Sequence, residues 1–366
     1  MLLSPPSSGS HRGRSTPPFL SLYWPYVNRY RIYGITLATD FPFSWPIPRV
    51  DETAPHPPAG DARHVRFRFV ESPPEELDWA AIPTVHQVAY EDEPGNPFLT
   101  YHVLDGVDVF RVRGVADHYI YPDRILCQLH DEGLTQLVEI QLLGTVLALW
   151  LERRGTSILH ASTVVMEGRG VAFMGWKGSG KTTLAVDLVC GGWPLLVDDL
   201  LALSVGSDGV LAHPGYPMLR LTPEQIRTFI GKGASFPRVH PEFEKRRVPV
   251  GEGFGAFQPE AVPLSRIYLV QRRSAPSERP GGSASASVPA SPVRIDPLSR
   301  RDALLALLQH AYLRDAGPGM GFMEERLSGL GRVAEYVSVA TLQYPSGFGH
   351  MAAVRQAIQE DLQDTR

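Results

Sequence analysis

The chain of 366 residues is 43% hydrophobic and 20% charged, long enough for two compact domains and unlike a wholly disordered or fibrous protein. A formal net charge of -4 argues against a polyanion binder, so nucleic acid is not an expected partner. Two cysteines, Cys127 and Cys190, sit in apolar surroundings and read as buried reduced thiols rather than a disulfide or a metal pair, which points to the cytoplasm.

Met1 to Pro18 is rich in Ser, Pro and Arg without an apolar core, so it is not a secretory signal, and residues 1–27 are expected to form a disordered tail. Short β-like runs follow at Tyr30 to Thr36, His64 to Val70, Val85 to Tyr90, Phe98 to Leu104 and Val107 to Val112. In Val65-Arg66-Phe67-Arg68-Phe69 apolar and basic side chains alternate, the period of a strand with one buried face. Asp105-Gly106 is a two-residue hairpin signal, and proline-rich breaks at Pro42 to Pro48 and Ala54 to Pro58 separate the first run from the next. These runs predict an antiparallel, β-rich N-terminal module over 28–125, suited to substrate recognition.

Asp131 to Arg154 predicts a helix that leads into a second part, 126–366. Its apolar stretch Leu134 to Leu151 is interrupted by Gln136, Glu139 and Gln141, fails the test for a membrane span and reads as a buried helix. Ser157 to Met166, the turn Glu167-Gly168-Arg169-Gly170 and the apolar run to Met174 predict a hairpin. Its second strand enters Gly175-Trp176-Lys177-Gly178-Ser179-Gly180-Lys181-Thr182, with a helical run from Thr183 to Val189 behind it. The pattern G-x-x-x-x-G-K-[ST] is informative between a strand and a helix, because loop amides and helix N-terminus then face one set of anionic oxygens.

Gly175, Gly178 and Gly180 permit close phosphate approach, Lys181 would reach the β and γ phosphates, and Thr182 would coordinate magnesium. The expected nucleotide contacts are therefore Gly175, Gly178, Ser179, Gly180, Lys181, Thr182 and Thr183.

Gly191-Gly192 stops that helix, and Pro194 to Asp199 reads as an apolar strand ending in two carboxylates, the place for a magnesium-binding acid beside a phosphate loop. Adjacent strand residues point to opposite faces unless the alternation relaxes at the strand end. Asp198 and Asp199 thus divide between magnesium and the proton of an attacking hydroxyl, with Thr182 and Asp199 as the expected metal pair. Which aspartate is the base stays open, as does a plain turn-capping role for one of them. His160, on the hairpin leading to the loop, is a catalytic candidate set against a hydrogen-bonded core histidine. At His213 a turn role suffices. Arg220 and Lys245 could clamp phosphate or an acidic substrate, whereas Arg246 and Arg247 read as solvated surface. Further along come a strand at Arg266 to Gln271, a low-complexity loop at 275–292 and helices near Ser299 to Arg314, Met323 to Val337 and His350 to Gln363.

The ordered set Leu159-His160-Ala161-Ser162, G-W-K-G-S-G-K-T, Leu196-Val197-Asp198-Asp199 and Tyr216-Pro217-Met218-Leu219-Arg220-Leu221 resembles the HPr serine kinase/phosphorylase family. It is most similar to HPr-kinase-like proteins found with ribosomally made peptides, lasso peptides among them, and the similarity covers roughly residues 150 to 314. The resemblance implies an α/β P-loop kinase core akin to HPr kinase and phosphoenolpyruvate carboxykinase, preceded by the β-rich module. By position, Lys181 and Thr182 match nucleotide and magnesium binding, Asp198 and Asp199 the magnesium and base pair, and His160 the family's active-site histidine.

The family uses ATP and Mg2+ to phosphorylate a serine hydroxyl. Trp176 and Lys177 replace small residues of the family's loop, and the C-terminal signature of the bifunctional enzymes is missing, so phosphorolysis and HPr itself are not carried over. The expectation is an ATP-dependent serine kinase acting on a peptide or small protein, such as a ribosomally made precursor peptide. A small-metabolite kinase and a nucleotide-gated peptide-binding module without transfer are the alternatives. No membrane partner is expected, and oligomerisation is left open.

Overall fold

The computed structural model describes residues 28–51, 61–74, 78–79, 82–88, 96–104, 106–240, 243–251, 253–273, 293–315, 319 and 321–364. The expected tail at 1–27, the break at Ala54 to Pro58, Asp105 of the hairpin signal and the low-complexity loop at 275–292 lie outside the described residues. The chain is a mixed α/β protein built on two large sheets.

The first sheet takes β1 (Asn28–Ile32), β2 (Ile35–Thr39), β3 (His64–Val70), β4 (His86–Val88), β5 (Leu99–Leu104), β6 (Val107–Val112), β7 (Ala116–Ile120) and β8 (Arg124–Leu129). Its order is β1-β2-β3-β8-β7-β6-β5-β4. The alternation in β3 works as expected, with Val65 and Phe67 buried and Arg66 exposed. The single run expected from Tyr30 to Thr36 is instead two strands, because Tyr33 (φ 53) and Gly34 (φ 80) both turn left-handed and close a tight hairpin.

The sheet is mixed and not antiparallel as expected: β2 pairs with β3, and β3 with β8, in parallel. The physical reason is that β2 and β3 are not joined by a tight turn, which would force antiparallel pairing, and that β8 reaches the other edge of β3 only after the run β4 to β7. Strand β7 carries no alternation signal because all five of its residues are buried.

Between the sheets run α1 (Thr135–Gln141) and α2 (Leu147–Glu152), joined by a π turn at Leu142–Val146. The whole helical span Glu132–Glu152 is long and apolar enough, by length and composition, to cross a membrane, contrary to the sequence expectation. In the fold it is a core helix: 61% of its most apolar window is buried, and Glu139 is satisfied by the Ser44 amide and hydroxyl at 2.9 and 2.6 Å. Glu152 pairs with Arg326 at 2.6 Å, both almost fully buried, and Arg153 grips Asp108 of β6 through two bonds of 2.7 Å.

The second sheet comprises β9 (Ser157–Met166), β10 (Arg169–Met174), β11 (Leu195–Val197), β12 (Leu200–Val205) and β13 (Val210–His213). Strands β14 (Met218–Leu221) and β15 (Arg246–Pro249) form a small ribbon of their own, and β16 (Val262–Arg273), β17 (Arg294–Pro297) and β18 (Ser338–Pro345) complete the sheet. The long strands β9 and β16 are each shared. β9 pairs with β12 through its first half and with β10 through its second, and β16 runs parallel to both β10 and β18.

Helix α3 (Lys181–Cys190) and α7 (Met351–Asp364) cover one face, where Leu184, Leu188, Val354 and Ile358 join Phe173 and Tyr268. On the other face α5 (Arg300–Gln309), α6 (Met323–Tyr336) and the central helix share a core that runs unbroken into the first sheet. A short helix, α4 (Pro223–Phe229), starts at a Thr222–Gln225 capping box. Cys127 is buried as expected, and burial raises its thiol pKa, but Cys190 at the end of α3 is exposed.

Candidate active site

The loop 175–180 leaves the C-terminal end of β10, crosses in front of β16 and starts α3, the strand–loop–helix context that its sequence requires. Two glycines are there for steric reasons. At Gly180 (φ 104) a Cβ would lie 2.7 Å from the Tyr344 hydroxyl, and at Gly175 (φ 151) 2.7 Å from Ser179 Oγ and 2.9 Å from the Val270 carbonyl. At Gly178 (φ 84) a Cβ would meet nothing within 4 Å, so only the backbone conformation asks for glycine. Lys181 is buried and its ammonium donates to the Gly175 and Trp176 carbonyls at 2.7 and 3.3 Å. Burial pushes its pKa down, against the pull of Asp198 and Asp199. Arg272, at the end of β16, donates to the Gly178 carbonyl from across the loop.

Both aspartates at the end of β11 reach this cavity. The strand rule that would separate them is broken at Asp199, whose φ of 95 is rare for a residue with a side chain and is held by its surroundings. Asp198 is 5% exposed and accepts from Ser162 Oγ at 2.6 Å, Thr182 Oγ1 at 3.1 Å and the Arg220 amide at 3.0 Å. Asp199 accepts from the Arg220 guanidinium at 2.5 Å, and its Oδ1 lies 3.2 Å from His160 Nδ1. Burial alone would raise the Asp199 carboxyl. Arg220, together with the His160 hydrogen bond, outweighs that and holds it well below the usual carboxylate range. Conversely, burial works against the Arg220 charge, but Asp199 and Tyr216 more than offset it and raise its pKa well above that of ordinary arginine. Tyr216 accepts the second Arg220 contact at 2.9 Å.

His160 Nδ1 also lies 3.0 Å from the Asp199 carbonyl oxygen. A carbonyl only accepts, so Nδ1 carries the proton. The His160 ring is therefore fixed by Asp199, which is distant in sequence and adjacent in space.

These groups line one cavity of about 360 Å³ together with Lys177, Gly178, Gly180, Thr182, Thr183, Lys245 and Arg272. Ser179 and Gly175 stand behind it as loop framework. The Thr182 hydroxyl meets Asp198 and not Asp199, the aspartate that the sequence paired with it. The donor set of a threonine hydroxyl and a buried carboxylate is hard oxygen of the kind magnesium prefers, so the residues present fit that ion. Among the described residues no group of three or more His, Cys, Asp or Glu side chains is gathered as a metal-binding cluster.

The chain is similar to a solved structure of the Hpr(Ser) kinase/phosphatase from Coxiella burnetii, at 15% identity and a TM-score of 0.30. The match covers 57% of this chain and 99% of that one. No family model and no curated protein matches.

Several site residues were not singled out from the sequence. Ser162 was only part of a motif, and Arg272 was hidden in an edge-like Arg272-Arg273 ending of a strand whose neighbour across the sheet could not be read. Gln225, which donates to Thr183 Oγ1 at 2.8 Å, was announced by the unread capping box Thr222-Pro223-Glu224-Gln225. His213 stays outside the cavity and bonds Ser204 Oγ. Arg246 and Arg247, expected as solvated surface, are half-buried in β15, where Arg247 reaches Ser44 Oγ at 3.2 Å and lies 5.5 Å from the Trp45 ring.

Proposed function

We propose that the protein is an ATP-dependent kinase of the HPr-kinase-like type that transfers the γ phosphate to a serine hydroxyl of a peptide or small protein. The observation that carries the reading is the division of labour between adjacent aspartates. One is tied to the Thr182 hydroxyl behind the loop, and the other is turned by a strained backbone onto Arg220 and His160.

In this reading the loop amides, Lys181 and Arg272 hold the triphosphate, and Thr182 with Asp198 holds magnesium, which would neutralise charge on the phosphate oxygens. Asp199 orients the acceptor hydroxyl. As the serine oxygen bonds to the γ phosphorus, the bond from that phosphorus to the bridging oxygen breaks and ADP leaves. The serine proton passes to Asp199 and from there to water. The low proton affinity of Asp199 suits a loose transition state, in which the hydroxyl proton is released late. Arg220, freed in part from Asp199 as phosphate arrives, supplies a guanidinium for the transferring group.

The test is calorimetric ATP titration with magnesium, followed by transfer of label from γ-labelled ATP to serine peptides. The reading expects ATP binding and phosphoserine with wild type, and binding weakened with label lost in Lys181→Ala. ATP bound tightly with no label on any acceptor would favour a nucleotide-gated binding module instead.

A further inference from the structure

The molecule has a second cavity of similar size, about 360 Å³, which shares His160 and Lys177 with the phosphate cavity and so opens beside the Asp199 carboxylate. Its walls come from both sheets: Leu99 and Tyr101 of β5, Phe110 of β6, Trp176 of the loop, and Tyr312 and Leu313. The segment holding the last two is fixed along β9. The His160 amide donates to the His310 carbonyl at 3.0 Å, and the Tyr312 amide to the Ile158 carbonyl at 3.1 Å.

Trp176 marks the boundary. It is 56% exposed, lines this cavity and not the phosphate cavity, and sits with its ring 4.8 Å from that of His310 and 5.0 Å from the Arg314 guanidinium. Lys177, His86, Thr145 and Gln309 also reach this cavity, and two of the polar groups around Trp176 are muted. Arg314 pairs with Asp315 at 2.6 Å, and burial, reinforced by Lys181 and His160, pushes His310 down to about 4, leaving the ring neutral at physiological pH. Beyond the shared Lys177, the phosphate cavity is lined by Lys181, Arg220, Lys245 and Arg272 facing Asp198 and Asp199.

We propose that the apolar cavity is the acceptor pocket, taking an uncharged apolar side chain next to the serine that is phosphorylated, with Trp176 and Leu99 as specificity-determining residues. The inference rests on the kinase reading for the serine, but the pocket's preference for apolar side chains stands on its lining. An anionic metabolite would gain little from such walls, whereas a leucine or phenylalanine side chain would leave water for them. The cavity meets the phosphate site at His160 and Lys177, which places a residue bound in one within a short reach of the other.

Burying one such side chain corresponds to roughly tenfold to hundredfold in affinity. The experiment uses acetylated, amidated pentapeptides with a central serine flanked by Leu, Phe, Asp or Lys, at saturating ATP and magnesium, with the full chain. The expected result is a KM for the Leu and Phe peptides at least about tenfold below that for the Asp and Lys peptides. Trp176→Ala and Leu99→Asp each raise it, and Trp176→Phe restores most of it. Leu99→Asp leaves ATP affinity unchanged, since β5 does not touch the phosphate cavity.

Equal KM values across the four peptides, unmoved by either variant, would overturn the pocket and leave the kinase reading standing. A change in tryptophan fluorescence with the leucine peptide, lost in both Trp176→Phe and Leu99→Asp but without any phosphate transfer, would support the pocket and remove the kinase. Neither a fluorescence change nor transfer would overturn both.

Discussion

The two cavities that meet at His160 are built in opposite ways. The phosphate cavity takes its loop, lysine, hydroxyl and carboxylate groups from two short stretches, 175–183 and 198–199, and is dense with paired charge. The apolar cavity is assembled from the β5–β6 hairpin, the loop and the segment after α5, three stretches far apart in sequence. Phosphate chemistry needs backbone amides, one lysine and a hydroxyl at fixed spacing, so a local motif can encode it. Recognition of an apolar group needs only shape and dryness, which any set of segments can supply once the core is folded.

The sharpest way to break this contrast is at the charged side. Lys181→Ala is expected to lower phosphate transfer by about 10³-fold or more, as removal of a group that meets transition-state charge does, with weakened ATP binding by titration. Asp199→Asn should lower kcat by roughly 10²- to 10³-fold while ATP affinity stays within a few-fold, measured by single-turnover label transfer. A matching loss of ATP affinity would assign Asp199 to the metal after all.

A third prediction separates the charge of Asp199 from its position. Its carboxyl is held low by Arg220, so its ionised form persists through ordinary pH. The stabilisation this gives is full above about pH 4 and is lost as pH falls through the folded value. Arg220→Gln removes the largest opposing charge and leaves burial dominant. The acid limb of kcat against pH should then move up by about 1 to 3 pH units, read from a full pH profile. An unmoved limb would show that Asp199 is not the group titrating in the kinetics.

The smallest effects sharpen the loop itself. Gly180→Ala combines a left-handed φ with a Cβ 2.7 Å from the Tyr344 hydroxyl and should cost about 1 to 3 kcal/mol by denaturant unfolding. Gly178→Ala, with the same backbone demand but open space, should cost about 1 kcal/mol. Equal losses would mean that Tyr344 yields without penalty.

How far the sequence reached follows the same divide. The strand before the loop and the Pro194 to Asp199 strand were legible as apolar runs because the phosphate-loop motif and the paired carboxylates end them, and helix α3 and the three C-terminal helices from their helical patterns. β7 was not, since a strand buried on both faces loses alternation and looks like any apolar run. The mixed pairing of the first sheet was hidden because which strands lie side by side is a tertiary fact. At the site, Lys181, Thr182 and both aspartates were marked by spacing, but the left-handed turn at Asp199 was not. It exists only because Arg220 and His160, from two other strands, hold the carboxylate in place. That Thr182 bonds Asp198 and not Asp199 was hidden for the same reason, as the strand rule could not say which aspartate faces the helix.

The most direct test of the central claim is a rapid-quench time course of γ-labelled ATP with the leucine-flanked serine peptide, comparing wild type with Asp199→Asn under single-turnover conditions. The account predicts label on serine with wild type. For the variant it predicts ATP and peptide both bound, with label appearing at least about a hundredfold more slowly. Transfer at the wild-type rate by Asp199→Asn, or bound ATP that never yields labelled peptide with wild type, would contradict it.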